Sequence, residues 1–147
     1  MSASLELPNR LSIDSGVILS YFLGEEIGRL VKSNLLPPRG RTIYCNRLCV
    51  SEVFYVLCRR RGETFARGSV ETFLGTGYAS MVSSDELDMQ AGTYKCRRAL
   101  SLADCYVMAL AKLEGATALF ARREDDMKKE VLKRPLDVEA IFLEDLV

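Results

Sequence analysis

Three acidic residues stand alone in apolar stretches of this sequence. Asp14 lies in LSIDSGVIL, Glu52 in LCVSEVFYVLC and Asp104 in SLADCYVMAL. Asp and Glu side chains are almost never buried unless they pair with a cation or coordinate a metal ion. If the three lie close together, their like charges raise one another's pKa, and a divalent cation compensates for them. Mg²⁺ and Mn²⁺ prefer such oxygen ligands, and a bound water with a lowered pKa is a nucleophile.

Each of these acids also has a purely structural interpretation. Ser101 and Asp104 fit a capping box, in which Asp104 reaches back to a free backbone N–H at the start of a helix. Glu52 is favoured early in a helix by the macrodipole, and Asp14 is a plausible N-cap or turn residue. The positions 14, 52 and 104 fit no local metal motif, so a shared site depends on the fold bringing them together.

The composition narrows the chemistry further. The sequence contains no histidine, which removes Ser-His-Asp and Cys-His catalysis and nearly every protein zinc site. The 20 Lys and Arg residues are balanced by 20 Asp and Glu residues, so no net field draws the protein toward nucleic acid or membrane. The cysteines form no CxxC pair, and we expect buried structural thiols rather than a disulfide framework or a thiolate zinc site. These cysteines are Cys45, Cys49, Cys58, Cys96 and Cys105.

Short apolar segments alternate with helical patterns along the chain. The strand-like segments are RLSID, TIYC, YASMVS, ATALFA and VEAIFL. Between them we predict helices, the first with Ser15 as its cap and Gly24 as a possible break. This alternation indicates an α/β domain with a parallel sheet covered by helices, and ligands bind outside the carboxyl ends of the strands in such sheets.

The length and the hydrophobic content bound the organisation of the chain. With 147 residues, of which 48% are hydrophobic, we expect a single domain spanning residues 1–147. No apolar run is long enough to span a membrane, and the first residues have no apolar signal core. We therefore expect a soluble, cytoplasmic protein.

Three blocks of the sequence resemble the signature blocks of the PIN domain, in particular those of VapC-type prokaryotic proteins. They are SIDSGVILSYFLGEE, CVSEVFYVLCRRRG and SLADCYVMALAKLEGATALFARRED. The resemblance implies a three-layer α/β/α sandwich with a parallel sheet of four or five strands. It also implies that Asp14, Glu52 and Asp104 are catalytic metal ligands, with Ser15 as a supporting hydroxyl.

A fourth acid usually follows the strand after the third block in this family. Here the stretch reads ARREDDM, in which Glu124 is the favoured catalytic ligand and Asp126 the second choice. Arg122 and Arg123 stand where many relatives have Thr, Gly or Asn. The alternative interpretation of these acids is a solvated helix start.

The resemblance further implies a Mg²⁺- or Mn²⁺-dependent ribonuclease of the toxin type, inhibited by an antitoxin protein and commonly dimeric. We expect hydrolysis of single-stranded RNA by metal-activated water. Basic residues near the acids are predicted RNA contacts, namely Arg59, Arg97, Arg98, Arg122 and Arg123.

Other functions remain open at the level of sequence. The runner-up is a non-catalytic PIN-like module that binds protein or RNA, which the departure at ARRED favours and the three intact acids oppose. A receiver-like phosphoacceptor domain is less favoured, because we find neither an early acidic pair nor a late lysine after a strand. A phosphatase with the same metal chemistry has similar weight.

Overall fold

Five parallel strands form the centre of the molecule in the computed structural model, which describes residues 5–147. Their bounds are β1 (Arg10–Ile13), β2 (Thr42–Asn46), β3 (Ser80–Val82), β4 (Thr117–Phe120) and β5 (Ala140–Phe142). They are ordered β3-β2-β1-β4-β5, and every neighbouring pair is parallel. In the register of the sheet Ser12 lies opposite Tyr44 on one side and Ala118 on the other. Since β1 is the central strand, the residue that follows it stands at the middle of the carboxyl edge.

Seven helices pack on the two faces of this sheet. They are α1 (Ser15–Leu23), α2 (Glu26–Asn34), α3 (Arg47–Arg61), α4 (Glu63–Thr76), α5 (Asp85–Arg97), α6 (Leu102–Glu114) and α7 (Asp125–Lys133), and a 3₁₀ turn (Leu143–Leu146) follows β5. Across residues 5–147, no helix combines the length and the apolarity that crossing a bilayer requires.

Alternation along the strands divides the core into two layers. Leu11 and Ile13 of β1 pack with apolar residues of helices α1 to α4. Ala118 and Phe120 of β4 pack on the opposite face with helices α5 to α7. Successive side chains of a strand point to opposite faces, so a sheet buried on both sides needs apolar residues at nearly every position. The predicted three-layer α/β/α sandwich with a parallel sheet is confirmed, and the sheet has five strands.

The first predicted helix differs in detail from the expectation. It is two helices, because Gly24 ends α1 with a backbone φ of 67° and α2 begins at Glu26. A positive φ is costly for residues with a Cβ, which suits glycine to this helix end. The expected cap, Ser15, is wrong: it is the first helical residue, and Asp14 is the N-cap that accepts a hydrogen bond from the Val17 N–H at 3.1 Å.

The cysteines are only partly as expected. All five have free thiols, and Cys45, Cys49 and Cys105 are buried. Cys58 is partly buried, and Cys96 is exposed, so the expectation of a buried thiol is wrong there. Cys96 lies in the last turn of α5, where Lys95 and Arg97 beside it are exposed as well.

Candidate active site

Asp14 is held at the carboxyl edge of the sheet by the backbone around it. Its own N–H donates to the Leu119 carbonyl of β4 at 3.0 Å. Its carboxylate accepts the Val17 N–H at the start of α1. The residue therefore leaves the central strand and caps a helix at the same time, which fixes its side chain where ligands of parallel sheets bind.

The other candidate acids approach from three further segments. Glu52 lies in the second turn of α3, which begins directly after β2. Asp104 lies in the first turn of α6. Glu124 is the residue that precedes α7, in the segment that follows β4. All of them line one cavity of about 300 Å³, together with Asp14.

Burial and like charge shift the protonation of the acids in this cavity. Desolvation raises the pKa of Asp14 from its ordinary 3.8 to about 7, and the charges of Asp104 and Glu52 add to the shift. Desolvation also raises the pKa of Asp104 from 3.8 to about 7, with repulsion from Asp126, Glu124 and Glu52 as further causes. The pKa of Glu52 is raised by desolvation and by Glu124. A cation in the cavity would relieve all of these repulsions.

Two serines act on these acids. The hydroxyl of Ser15, which lines the cavity with Glu52, opposes the rise in the pKa of Glu52. Ser101 caps α6, where its hydroxyl accepts the Asp104 N–H at 3.1 Å. The Ser101 side chain also opposes the rise in the pKa of Asp104. The half of the predicted capping box that Ser101 provides is therefore present, and the Asp104 carboxylate lines the cavity.

The two choices for the fourth acid occupy different places. Glu124 lines the cavity and makes no side-chain capping bond to α7. Asp126 lies in the first turn of α7, where its carboxylate accepts the Met127 N–H at 2.8 Å. Asp126 does not line the cavity, but it is the strongest charge acting on the pKa of Asp104. Glu124 is thus better placed to face a ligand, and Asp126 adds negative potential beside it.

Three further lining residues were not singled out from the sequence. Asn46, at the end of β2, is buried and caps α3 by accepting the Cys49 N–H at 2.9 Å. Cys49 lies one turn before Glu52, and a hydrogen bond with Cys45 together with burial raises the pKa of its thiol well above the ordinary value. Tyr55 lies three residues after Glu52 and is the exposed aromatic side chain of the cavity wall. The helical spacing of 49, 52 and 55 is the signal that could have found two of them.

The arginines predicted to contact RNA are in contrasting environments. Arg59 lies with its guanidinium 5.0 Å from the centre of the Tyr55 ring, and Arg97 is exposed. Arg98 is largely buried in an ion pair of 3.1 Å with Glu130. Arg122 pairs with Glu25 at 2.6 Å, and Arg123 pairs with Asp145 at 2.7 Å. Contact with RNA stays a prediction for all five arginines. Arg98, Arg122 and Arg123 would each have to break an ion pair within the protein in order to bind a phosphate.

The donor set of the cavity suits a hard divalent cation. Its acids supply carboxylate oxygens, which are the ligands that Mg²⁺ and Mn²⁺ prefer. Within residues 5–147, no three His, Cys, Asp or Glu side chains are arranged to enclose a metal ion by themselves. Mg²⁺ is commonly bound through one or two carboxylates and keeps several waters. The chemistry of the donors therefore fits Mg²⁺ or Mn²⁺ bound in part through water, and does not fit a closed protein cage.

Solved structures with this fold include toxins and toxin–antitoxin complexes. The crystal structure of VapC20 from Mycobacterium tuberculosis, described as a sarcin-ricin loop cleaving toxin, has a TM-score of 0.63 at 16% identity and covers 82% of this chain and 93% of its own. VapBC2 from Rickettsia felis, bound to a DNA fragment from its promoter, has a TM-score of 0.65 at 12% identity and covers 90% and 97%. A toxin–antitoxin complex from Klebsiella pneumoniae has a TM-score of 0.61 at 15% identity and covers 91% and 97%. At these identities the likeness is one of fold.

The family of the chain is given by its sequence. No curated protein matches it. The model of the PIN domain family matches residues 11–129, a range that contains all of the candidate acids. This chain therefore belongs to the PIN domain family.

Proposed function

We propose that this protein is a Mg²⁺- or Mn²⁺-dependent endoribonuclease of the VapC type, which hydrolyses phosphodiester bonds of single-stranded RNA. One observation carries the proposal. Four carboxylates from four separate segments, Asp14, Glu52, Asp104 and Glu124, line one cavity at the carboxyl edge of the sheet. Without a bound cation, the charges of these carboxylates destabilise the folded protein, because they repel one another in a poorly solvated place.

The residues of the cavity have two proposed roles. Some hold the ion, and others favour the ionised forms of those that hold it. Asp14, Glu52, Asp104 and Glu124 would hold the ion, with Asp126 adding negative potential from α7. A bound Mg²⁺ or Mn²⁺ would supply a water of lowered pKa and positive charge for the scissile phosphate. The side chains of Ser15 and Ser101 favour the ionised forms of Glu52 and Asp104. The backbone bonds of Asp14 fix the central ligand to the sheet.

The preference for a single strand follows from the recessed position of the acids. The carboxylates line the wall of a cavity, so a phosphate must enter with the bases beside it turned away from a partner strand. The absence of histidine removes cleavage by paired imidazoles. The carboxylates of the cavity support hydrolysis with a metal ion instead.

An antitoxin is the proposed protein partner, and a homodimer the proposed assembly. The support for an antitoxin is the kind of structures that share this fold, among them a toxin–antitoxin complex and a VapBC2 complex. The support for a dimer is the family resemblance described above. Size-exclusion chromatography with light scattering on the purified chain tests the dimer directly.

Cleavage of a mixed pool of single-stranded RNA tests the activity. The wild-type protein should cut with Mn²⁺ or Mg²⁺ and not with EDTA. Asp104→Asn should lower the rate by more than about 100-fold, because even the outer partners of metal ligands contribute about 10- to 100-fold. The matched control is Asp85→Asn, which changes an exposed acid in the first turn of α5 and should cut like the wild type.

Two outcomes would contradict the proposal. Equal cutting by wild type and Asp104→Asn would show that the activity lies in another site or in a contaminant. No cutting by a folded wild-type protein, with circular dichroism as the check of folding, would favour the second candidate function.

That second candidate is a PIN-like module that binds RNA or protein without cleaving it. The departure from the family pattern at Arg122 and Arg123 favours it. Calorimetric titration with Mn²⁺ separates the two functions. The nuclease requires metal binding that Asp104→Asn weakens, whereas the binding module requires none.

A further inference from the structure

Tyr55 presents an aromatic ring at the rim of the acidic cavity. The residue is 43% exposed and lines the same cavity as the four carboxylates. Other rings that carry a cationic group in the described residues, such as Phe54, Phe65 and Tyr94, pack into the core. Tyr55 therefore combines a cationic neighbour with access to solvent and to the site.

One face of α3 leads from the cavity to the surface. Glu52, Tyr55 and Arg59 are separated by three and four residues, so they follow one another along that face. Glu52 is partly buried, while Tyr55 and Arg59 are exposed. From Glu52 to Arg59 the helix rises roughly 10 Å, at about 1.5 Å per residue.

The contact between Tyr55 and Arg59 restrains both side chains. The guanidinium of Arg59 lies 5.0 Å from the centre of the ring. A cation at this distance is attracted by the π-electrons of the ring and limits its rotation. Ordering a side chain before binding reduces the entropy that a ligand must overcome.

We propose that Tyr55 and Arg59 form a nucleotide subsite, in which Tyr55 stacks on a base next to the scissile phosphate and Arg59 contacts the phosphate beyond it. The proposal rests on the proposed ribonuclease function and names the part of the chain that receives the substrate. Single-stranded nucleic acids are held by this combination of aromatic ring and cation in many proteins. Stacking is tolerant of base identity, so the subsite gives affinity for single strands rather than for one sequence.

The experiment measures binding of a short fluorescein-labelled oligouridine strand by fluorescence anisotropy, in EDTA so that no cleavage occurs. Tyr55→Leu should weaken binding by about 5- to 100-fold, and Tyr55→Phe should bind like the wild type because the ring remains. The wild type should also lose affinity for a strand with abasic positions. Tyr55→Leu should bind the intact and the abasic strand equally.

A matched pair of variants tests the cation. Arg59→Gln should weaken binding and reduce the slope of log affinity against log salt by about 0.7, the value for one phosphate of a single strand. Arg61→Gln removes a similar cation from the Phe65 ring, which is not part of the cavity, and should leave binding unchanged. In a cleavage assay Tyr55→Leu should raise KM and leave kcat near the wild-type value.

The outcomes separate this inference from the proposed function. If the wild type cleaves RNA and Tyr55→Leu binds and cleaves equally well, the subsite is wrong and the nuclease stands. If Tyr55→Leu weakens binding but still discriminates against the abasic strand as the wild type does, the ring does not stack on a base and the subsite is wrong. If the wild type neither binds nor cleaves single strands, both proposals are wrong.

Discussion

The buried acids of this protein lie in two contrasting environments, one with cationic partners and one without them. Glu130 of α7 is 2% exposed and forms ion pairs with Arg98 at 3.1 Å and with Arg134 at 3.6 Å. It also accepts the Ala99 N–H at 3.3 Å. Among the described residues, by contrast, the acids of the cavity have no ion pair, and the charges of Asp104 and Glu52 raise the pKa of Asp14 further.

This difference separates a structural acid from an acid that is available for chemistry. Cations and a backbone N–H neutralise Glu130, so its charge fixes the segment between α5 and α6. That segment leads to Ser101, which caps the helix that carries Asp104. Charge left without a partner in a cavity is typical of a site that binds a cation or changes its protonation.

The largest effect on stability is expected from Glu130→Gln. The substitution keeps the shape but leaves Arg98, whose side chain is only 11% exposed, without a countercharge. Breaking a buried ion pair from one side costs about 3–5 kcal/mol in the free energy of unfolding. Urea unfolding measures it, with Glu71→Gln as the control on the exposed side of α4. A loss no greater than that of the control would show that the Glu130 network is not a structural element.

For the cavity acids we expect the stability of the metal-free protein to fall as the pH rises. Asp14 and Asp104 have a pKa of about 7 in the folded protein, against an ordinary value of 3.8. Between these values the folded protein retains protons that the unfolded chain has released. The free energy of unfolding of the metal-free protein is then highest near pH 4, decreases toward pH 7 and levels off above it.

Unfolding in EDTA at pH 5.5 and pH 8 measures this dependence. We expect the metal-free wild type to lose about 1–3 kcal/mol over that interval, since the two acids titrate as a pair and one pKa unit corresponds to about 1.4 kcal/mol. Asp104→Asn should lose less, and at pH 8 it should be more stable than the wild type. Mn²⁺ should restore stability to the wild type at pH 8. Equal stability of the metal-free wild type at both pH values would contradict the assignment of uncompensated acids.

The sequence predicted the parts of the fold and site that depend on local patterns. Apolar runs alternating with helical patterns predicted the parallel sheet, which is confirmed. Asp14, Glu52 and Asp104 stood out because each is a single charge in apolar surroundings, and such a charge is expensive to bury. The structure brings all three to one cavity, where metal binding stays a prediction.

Contacts between distant segments could not be predicted, because they produce no local pattern in the sequence. The pair of Arg98 and Glu130 joins residues 32 positions apart, so nothing near Arg98 in the sequence distinguishes it from an arginine free to contact RNA. Tyr55 lies in an apolar helix whose neighbouring residues Val53 and Leu57 enter the core. Only the packing of α3 on the sheet decides that Tyr55 faces the cavity rim.

The smallest effect is expected from Arg122→Gln, which removes an exposed countercharge. Arg122 and Glu25 form an ion pair of 2.6 Å, with side chains 51% and 29% exposed. Exposed pairs contribute about 0–1 kcal/mol because water and salt screen them. Urea unfolding should therefore show a change in that range, close to that of Arg67→Gln, which breaks the exposed pair of Arg67 with Glu63 at 3.2 Å on α4. If Arg122 exchanges Glu25 for a phosphate, as its predicted RNA contact requires, Arg122→Gln alone of these two variants should weaken RNA binding. A stability loss as large as that of Glu130→Gln would show that the ion pair of Arg122 stabilises the fold, as the ion pairs of Glu130 are expected to do.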